Sequence, residues 1–238
     1  MTSNEVEALA EQQVRQDEAR ITGSRRTSRS LGQVFVEFWR HPSPYILSVP
    51  LVVAIAGRML AGAGDWWELL IPLGLLAIMP VVEWFIHVCI LHWRPRRIAG
   101  FTIDPLLSRK HRAHHRDPRA IPLVFVPWQV ELVLIPSAFL VAWAVAPTWS
   151  SMFTFLVAVL VLLSAYEWTH YLLHSDYRPR SAWFRSVWRN HRLHHYKSEH
   201  YWFTVTTAAT ADRLFGTYPD PATVPTSPTA RNLHGLAD

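Results

Sequence analysis

Ten of the thirteen histidines in this chain of 238 residues fall into four spaced groups. In chain order these are His87 with His92, then His111, His114 and His115, then His170 with His174, then His191, His194 and His195. The HxxxH spacing of the third group sets two imidazoles one helical turn apart, where both can reach a single ion. Each HxxHH group adds three rings on one stripe, because positions i, i+3 and i+4 are neighbours on a helix. Imidazole donors suit iron, zinc and copper rather than calcium or magnesium. Ten ligands are too many for one ion and about right for two, so the spacing predicts a two-metal site.

The HxxxxH pair does not fit a regular helix. Five residues turn an ideal α-helix through about 140° beyond a full circle, so the helix is expected to distort or end between His87 and His92. Trp93-Arg94-Pro95 soon stops it. Two acids stand where partners for ligand rings would be wanted: Glu83 four residues before His87, and Glu167 three before His170. A carboxylate that accepts the second ring N–H orients a histidine ligand and raises its basicity. Cys89, the single cysteine, lies between two of the histidines but reads as a small apolar helix residue. One cysteine also excludes an internal disulfide.

The elements that must hold these groups are apolar. Half the residues are hydrophobic and 17% are charged. Four apolar segments run over Pro44–Leu60, Trp67–Leu91, Ile121–Ala146 and Pro147–Tyr166. A membrane span needs about 20 such residues; the last three segments qualify and the first is marginal. Buried helices of a soluble protein are the rival reading. Against it, the 35 residues from Leu132 to Tyr166 carry no charge.

Basic residues then orient the spans. Eight Lys/Arg lie between His92 and Ala120, six between His174 and His200, and six in the first 44 residues. The connections Ala61–Trp66 and Pro147–Ser151 have none. The positive-inside rule puts both termini and both histidine segments in the cytoplasm. The net charge of +5 follows from that topology, and no nucleic acid partner is expected.

The predicted fold is therefore all-α: an integral membrane four-helix bundle with a cytoplasmic, histidine-rich helical cap. Residues 44–218 form its body. Residues 1–43 form a polar arm without a signal peptide, reading as a polar helix or loose arm over Glu5–Arg20, a basic linker over Gly23–Ser30 and an interfacial segment over Val34–Trp39. Residues 219–238, with four prolines, form an irregular tail expected to be dispensable for activity. Each half repeats one plan: a span ends in a spaced histidine pair, and a basic segment ends in HxxHH. The metals are expected just below the membrane.

The order HxxxxH, HxxHH, HxxxH, HxxHH from His87 to His195 resembles the fatty acid hydroxylase/sterol desaturase superfamily of membrane di-iron enzymes, and most of all its fatty acid 2-hydroxylases. Tyr166-Glu167 resembles the family's tyrosine-acid pair, with Glu where Asp is usual. WFTVTTAATADRLFGT resembles the family ending, with Thr204 in place of a glycine. The match covers residues 80 to 218. It implies two iron ions bound by the ten histidines, with zinc able to replace them in a purified sample. It also implies an O2-dependent monooxygenase acting on a lipid substrate, a fatty acyl chain with the 2-position favoured. Tyr166 and Glu167 are the candidate catalytic residues. No haem-binding cytochrome domain precedes the spans, so electrons are expected from a separate protein. His200 could be a ligand, a substrate contact or a surface residue.

Carotenoid and sterol hydroxylases or desaturases carry similar boxes and stay open as alternatives. Four boxes rather than three favour hydroxylation over acyl-chain desaturation. A metal-storing or metal-transporting membrane protein is the alternative outside enzymes, but transport would place its polar ligands near mid-membrane.

Overall fold

The computed structural model describes residues 29–236, so the arm over Glu5–Arg20 and the linker from Gly23 through Ser28 lie outside the described residues. Helix α1 (Leu31–Phe38) starts at Ser30, whose side chain and that of Gln33 cap each other's backbone N–H groups. Helix α2 (Pro42–Leu60) begins with proline at its first turn, where the missing N–H costs nothing. A short turn over Trp66–Leu69 feeds α3 (Leu70–Ile86), which runs on into a π-helical turn over His87–Leu91. Helix α4 (Leu106–Arg116) carries the first HxxHH group. Helices α5 (Trp128–Val145) and α6 (Trp149–His174) complete the apolar set, and α7 (Ala182–Tyr196) carries the second HxxHH group. Helix α8 (Thr210–Leu214) is a single short turn.

Four segments are long and apolar enough to cross a membrane: Pro42–Leu60, Trp66–Leu91, Ile121–Val145 and Trp149–His174. They match the four sequence segments, and the last continues past Tyr166 to include His170 and His174. Most of their large side chains face outward; Leu60 is 88% exposed and Met59 77%. Apolar surface on that scale calls for lipid around it.

Helix α6 is the centre of the packing and lies against α2, α3 and α5. Away from the histidines, Ala54 of α2, Ala142 of α5 and Met152, Leu156 and Leu160 of α6 form one buried cluster. Gly57 lets α2 approach α6 there, since a Cβ at that position would stand 2.4 Å from the Phe153 ring. At the same end Glu68 is buried, and Arg58, Ser150 and Thr154 satisfy its carboxylate. At the histidine end, Val34 and Phe38 seat α1 against Phe125, Tyr171 and Leu172. The Tyr171 hydroxyl donates to the Val34 carbonyl at 3.1 Å.

One element departs from the all-helical expectation. Arg96–Ile98 (β1) and Phe101–Ile103 (β2) pair antiparallel, with Ile98 opposite Phe101. Ala99 and Gly100 both have positive φ, at 50° and 85°, the backbone that a two-residue hairpin turn requires. This hairpin carries the chain from the end of the second span to α4.

Candidate metal centre

The ten histidines come together as two groups of five. His87, His92, His111, His115 and His194 make the first; His114, His170, His174, His191 and His195 make the second. Within each group, one nitrogen per ring lies within 4.8 Å of the others'. The groups adjoin, with the rings of His115 and His195 4.3 Å apart. Nine of the ten are buried, and His92 is half-buried.

The helical screw explains the division. In HxxHH the i and i+4 positions lie 40° apart, while i+3 falls on the far side of i from i+4. On α4, His111 and His115 face the first group and His114 turns to the second. On α7, His191 and His195 face the second group and His194 turns to the first. Both helices therefore run between the groups and serve both.

The distortion expected at HxxxxH is the π-turn. The His92 N–H bonds to the His87 carbonyl at 3.0 Å, an i to i+5 bond that brings the two rings to one side, 5.0 Å apart. Turns of this kind recur at functional sites. Without the extra residue His92 would point away from His87.

Carbonyl oxygens, rather than acids, orient rings in the first group. The Nδ1 atoms of His87, His115 and His194 pair with the carbonyls of Phe203, Ala230 and Tyr201 at 2.6, 2.8 and 2.8 Å. A ring that donates its Nδ1–H to a carbonyl keeps a lone pair on Nε2. The Nε2 atoms of His87 and His194, and of His92, have no protein partner. In the second group Nε2 atoms approach each other: His174 to His191 at 2.6 Å, His114 to His174 and His191 to His195 at 3.1 Å.

Outside the apolar segments, burial, with repulsion between neighbouring rings after it, drives His92, His111, His114, His115, His191 and His195 well below their ordinary pKa. Burial likewise lowers His194, to about 4. Such rings are neutral at pH 7, the form that binds metal. Two adjoining sets of buried, crowded imidazoles fit the binding of metal cations.

The acids do other work than the sequence suggested. The Glu83 carboxylate holds the loop after Phe203, accepting the backbone N–H of Val205 and the N–H and hydroxyl of Thr206, the last at 2.5 Å. Glu167 accepts from Ser43 and from the Val126 N–H. Hydrogen bonds from His87 and His170 to these carboxylates are not what positions the rings. Tyr166 packs with Leu173, Val187 and Val205, its ring 5.7 Å from that of His170. His200 lies outside both groups with its side chain 70% exposed beside Glu199, so it is a surface residue. Cys89 is exposed and outside them too.

Three positioning features had no role assigned to them from the sequence, although Trp202 and Asp212 lie in the stretch WFTVTTAATADRLFGT that carries the family resemblance. Trp202 is fully buried at a φ of 57°, a backbone region a bulky residue seldom adopts. That reversal lets the carbonyls on both its sides, Tyr201 and Phe203, reach histidines. Asp212 fixes the reversal: its carboxylate accepts from the N–H groups of Phe203 and Thr204 at 2.8 and 3.0 Å and from the Thr204 and Thr217 hydroxyls at 2.6 and 2.7 Å. The tail is the third. It is irregular, yet Ala230 and Leu233 are buried. Arg231 donates to the His115 carbonyl at 2.8 Å and also to that of Arg116. His234 Nε2 lies 3.1 Å from the His92 carbonyl. The expectation that the tail is dispensable conflicts with these contacts, because it orients His115 directly.

Residues 72–217 match the fatty acid hydroxylase family. The fold is similar to a solved structure of full-length Scs7p in which only the hydroxylase domain is visible, with a TM-score of 0.62 and 20% identity over 76% of this chain and 68% of that one. No curated protein matches the sequence.

Proposed function

Because this chain belongs to the fatty acid hydroxylase family, we propose that it is a membrane-bound, O2-dependent hydroxylase of a fatty acyl chain. The observation that carries this reading is the convergence of ten histidines into two adjoining sets of five at one end of four apolar helices. Two iron ions, one in each set, would supply the dioxygen activation and hydrogen abstraction that no side chain here can provide. Zinc in a purified sample would be a substitution, since imidazole sites bind it well. The resemblance to 2-hydroxylases favours the carbon next to the carboxyl group. Residues 44–218 make the hydroxylase body on this reading, and the electrons come from a separate donor protein.

The chain's own residues hold and orient. The Phe203, Tyr201 and Ala230 carbonyls fix three rings so that Nε2 faces the ion. Burial keeps the histidines outside the spans neutral and excludes water that would quench a strong oxidant. Tyr166, packed against apolar Leu173 and Val205 beside His170, is proposed to seat the acyl chain, and Glu167 to act beside it. The twenty basic residues of the arm and the two histidine segments support a cytoplasmic site, with both termini on that side.

The test is lipid analysis of a host with and without the gene. A set of acyl lipids heavier by one oxygen, present only with the intact gene, is the expected result. Loss of two hydrogens would instead mean desaturation, and oxygenated sterols or carotenoids would move the substrate class. No change in any lipid would sink the proposal.

A further inference from the structure

Three polar side chains from three helices meet out of water one turn before His170. Ser43 opens α2, Glu131 lies in the first turn of α5, and Glu167 is on α6; all three are buried, the most exposed at 1%. Ser43 Oγ stands 2.6 Å from Glu131 Oε1 and 3.0 Å from Glu167 Oε2. A serine hydroxyl carries one proton and can donate to only one of these oxygens. The other contact is a hydrogen bond only if that carboxyl supplies the proton. Two ionised carboxylates sharing one dry site would also repel strongly, so one stays protonated.

The two carboxyl groups are equally buried, so their hydrogen bonds distinguish them. Glu167 takes a second donor, the Val126 N–H, at 2.9 Å on its other oxygen. Hydrogen bonds to the charged form favour it. Glu131 has only the serine, and its second oxygen has no protein partner, which a neutral carbonyl oxygen tolerates better than an ionised one.

We propose that Glu131 is held as a neutral carboxylic acid that donates to Ser43, that Ser43 donates to ionised Glu167, and that this chain stores a proton for the oxygen chemistry. A pocket of about 250 Å³ is lined by Ser43 together with exposed Lys110, Trp128 and Gln129, and by neither carboxyl group. His41 and Lys110 are the titratable groups on that pocket, and Tyr166 stands next to Glu167 in the chain. Use of the proton rests on the hydroxylase reading; the store does not. Hydroxylation takes one dioxygen, two electrons from a reduced one-electron carrier protein and two protons, and yields the alcohol and one water. In the relay the Glu131 proton would move to Ser43 and the Ser43 proton to Glu167, one helical turn before His170, and the reaction would draw one of its two protons from there. Ser43, the member of the three that lines the pocket, would carry a proton back to Glu131.

Infrared spectroscopy of the purified full chain at pH 7 tests the store without turnover. A carboxylic acid C=O band should be present, be removed by Glu131→Gln and be shifted by Ser43→Ala. The Ser43→Ala shift carries the test should Glu131→Gln fail to fold. Absence of the band, or a band that both substitutions leave unchanged, overturns the store. In turnover, Glu131→Gln should slow oxygen consumption roughly 100-fold, as loss of a positioned proton donor does, with normal metal content and a larger difference between H2O and D2O. An unchanged rate and isotope effect overturn the delivery role. If the intact protein forms no oxygenated lipid but shows the band, the hydroxylase reading fails while the carboxyl store stands.

Discussion

The two histidine groups share helices and ligand type but are held in different ways. Rings of the first are aimed by backbone carbonyls from two non-helical stretches, the Tyr201–Phe203 reversal and the tail at Ala230, and one of its members rides on a π-turn. Rings of the second all stand on regular α-helix, and no protein group reaches the Nδ1 atoms of His114, His191 and His195. Geometry in the first group thus depends on loops that must fold correctly; in the second it depends on helix packing. A rigid helix can present two ligands a turn apart unaided, but it cannot bring together two that are five residues apart.

The sharpest way to break this comparison is to remove one ring from each side. His115→Ala and His195→Ala should each abolish hydroxylation, and bound metal, read by elemental analysis, should fall from two ions per chain toward one. Retention of both ions by either variant would show that the removed ring is not a ligand. Next comes truncation of the tail before Ser227. It removes the carbonyl that holds His115, and the loss of such a partner typically costs about 10- to 100-fold in metal affinity or activity. The weakening should be larger for one of the two ions; equal weakening of both would erase the distinction between the groups.

Asp212→Asn acts on the other stretch. It keeps the shape but removes the charge that four donors share, at a cost of about 2–3 kcal/mol if the hydrogen bonds weaken together. Chemical unfolding of the metal-free protein would register it, and a value near zero would mean that Trp202 holds its reversal without help. Acid affects both groups together. The folded rings titrate below the unfolded value of about 6.5, His194 at about 4, so the unfolded chain binds more protons and stability falls as pH drops. Metal-free protein should be fully stable above about pH 6.5 and lose stability progressively as pH falls from there toward 4. A stability that is flat across that range would contradict neutral burial. Smallest of all is His200→Ala, outside both groups, for which metal content and turnover should stay at the level of the intact protein.

Much of this could be read from the residues because ligands and spans are constrained by type and spacing. Ten histidines at i, i+3, i+4 and i+5 spacings named the cluster, and the misfit of His87 with His92 called for the distortion that the π-turn supplies. The four apolar segments emerged for the same reason: lipid tolerates few other sequences. The partners of the rings were hidden because any residue offers a carbonyl, and neither Phe203 nor Ala230 differs in type from a residue that does nothing. Glu83 and Glu167 misled for a related cause. Their spacing from a histidine was right, but Val205, Thr206, Ser43 and Val126 from distant parts of the chain reach them instead. The sharing of α4 and α7 between groups was latent in the 100° step from i+3 to i+4 and needed the fold to show which side was which.

That sharing makes α4 and α7 behave as common axles. When an ion seats against His111 and His115 it fixes the rotation of α4, and the same rotation sets the direction of His114 on the other side. Any entropy of swivelling would be surrendered once, at the first loading, and a second ion would meet a helix already stopped at the right angle. Loading should accordingly be sigmoidal, with a coupling of about 1–3 kcal/mol between the ions. The pair would then work as a rivet, locking the bundle's mouth only when both heads are in place.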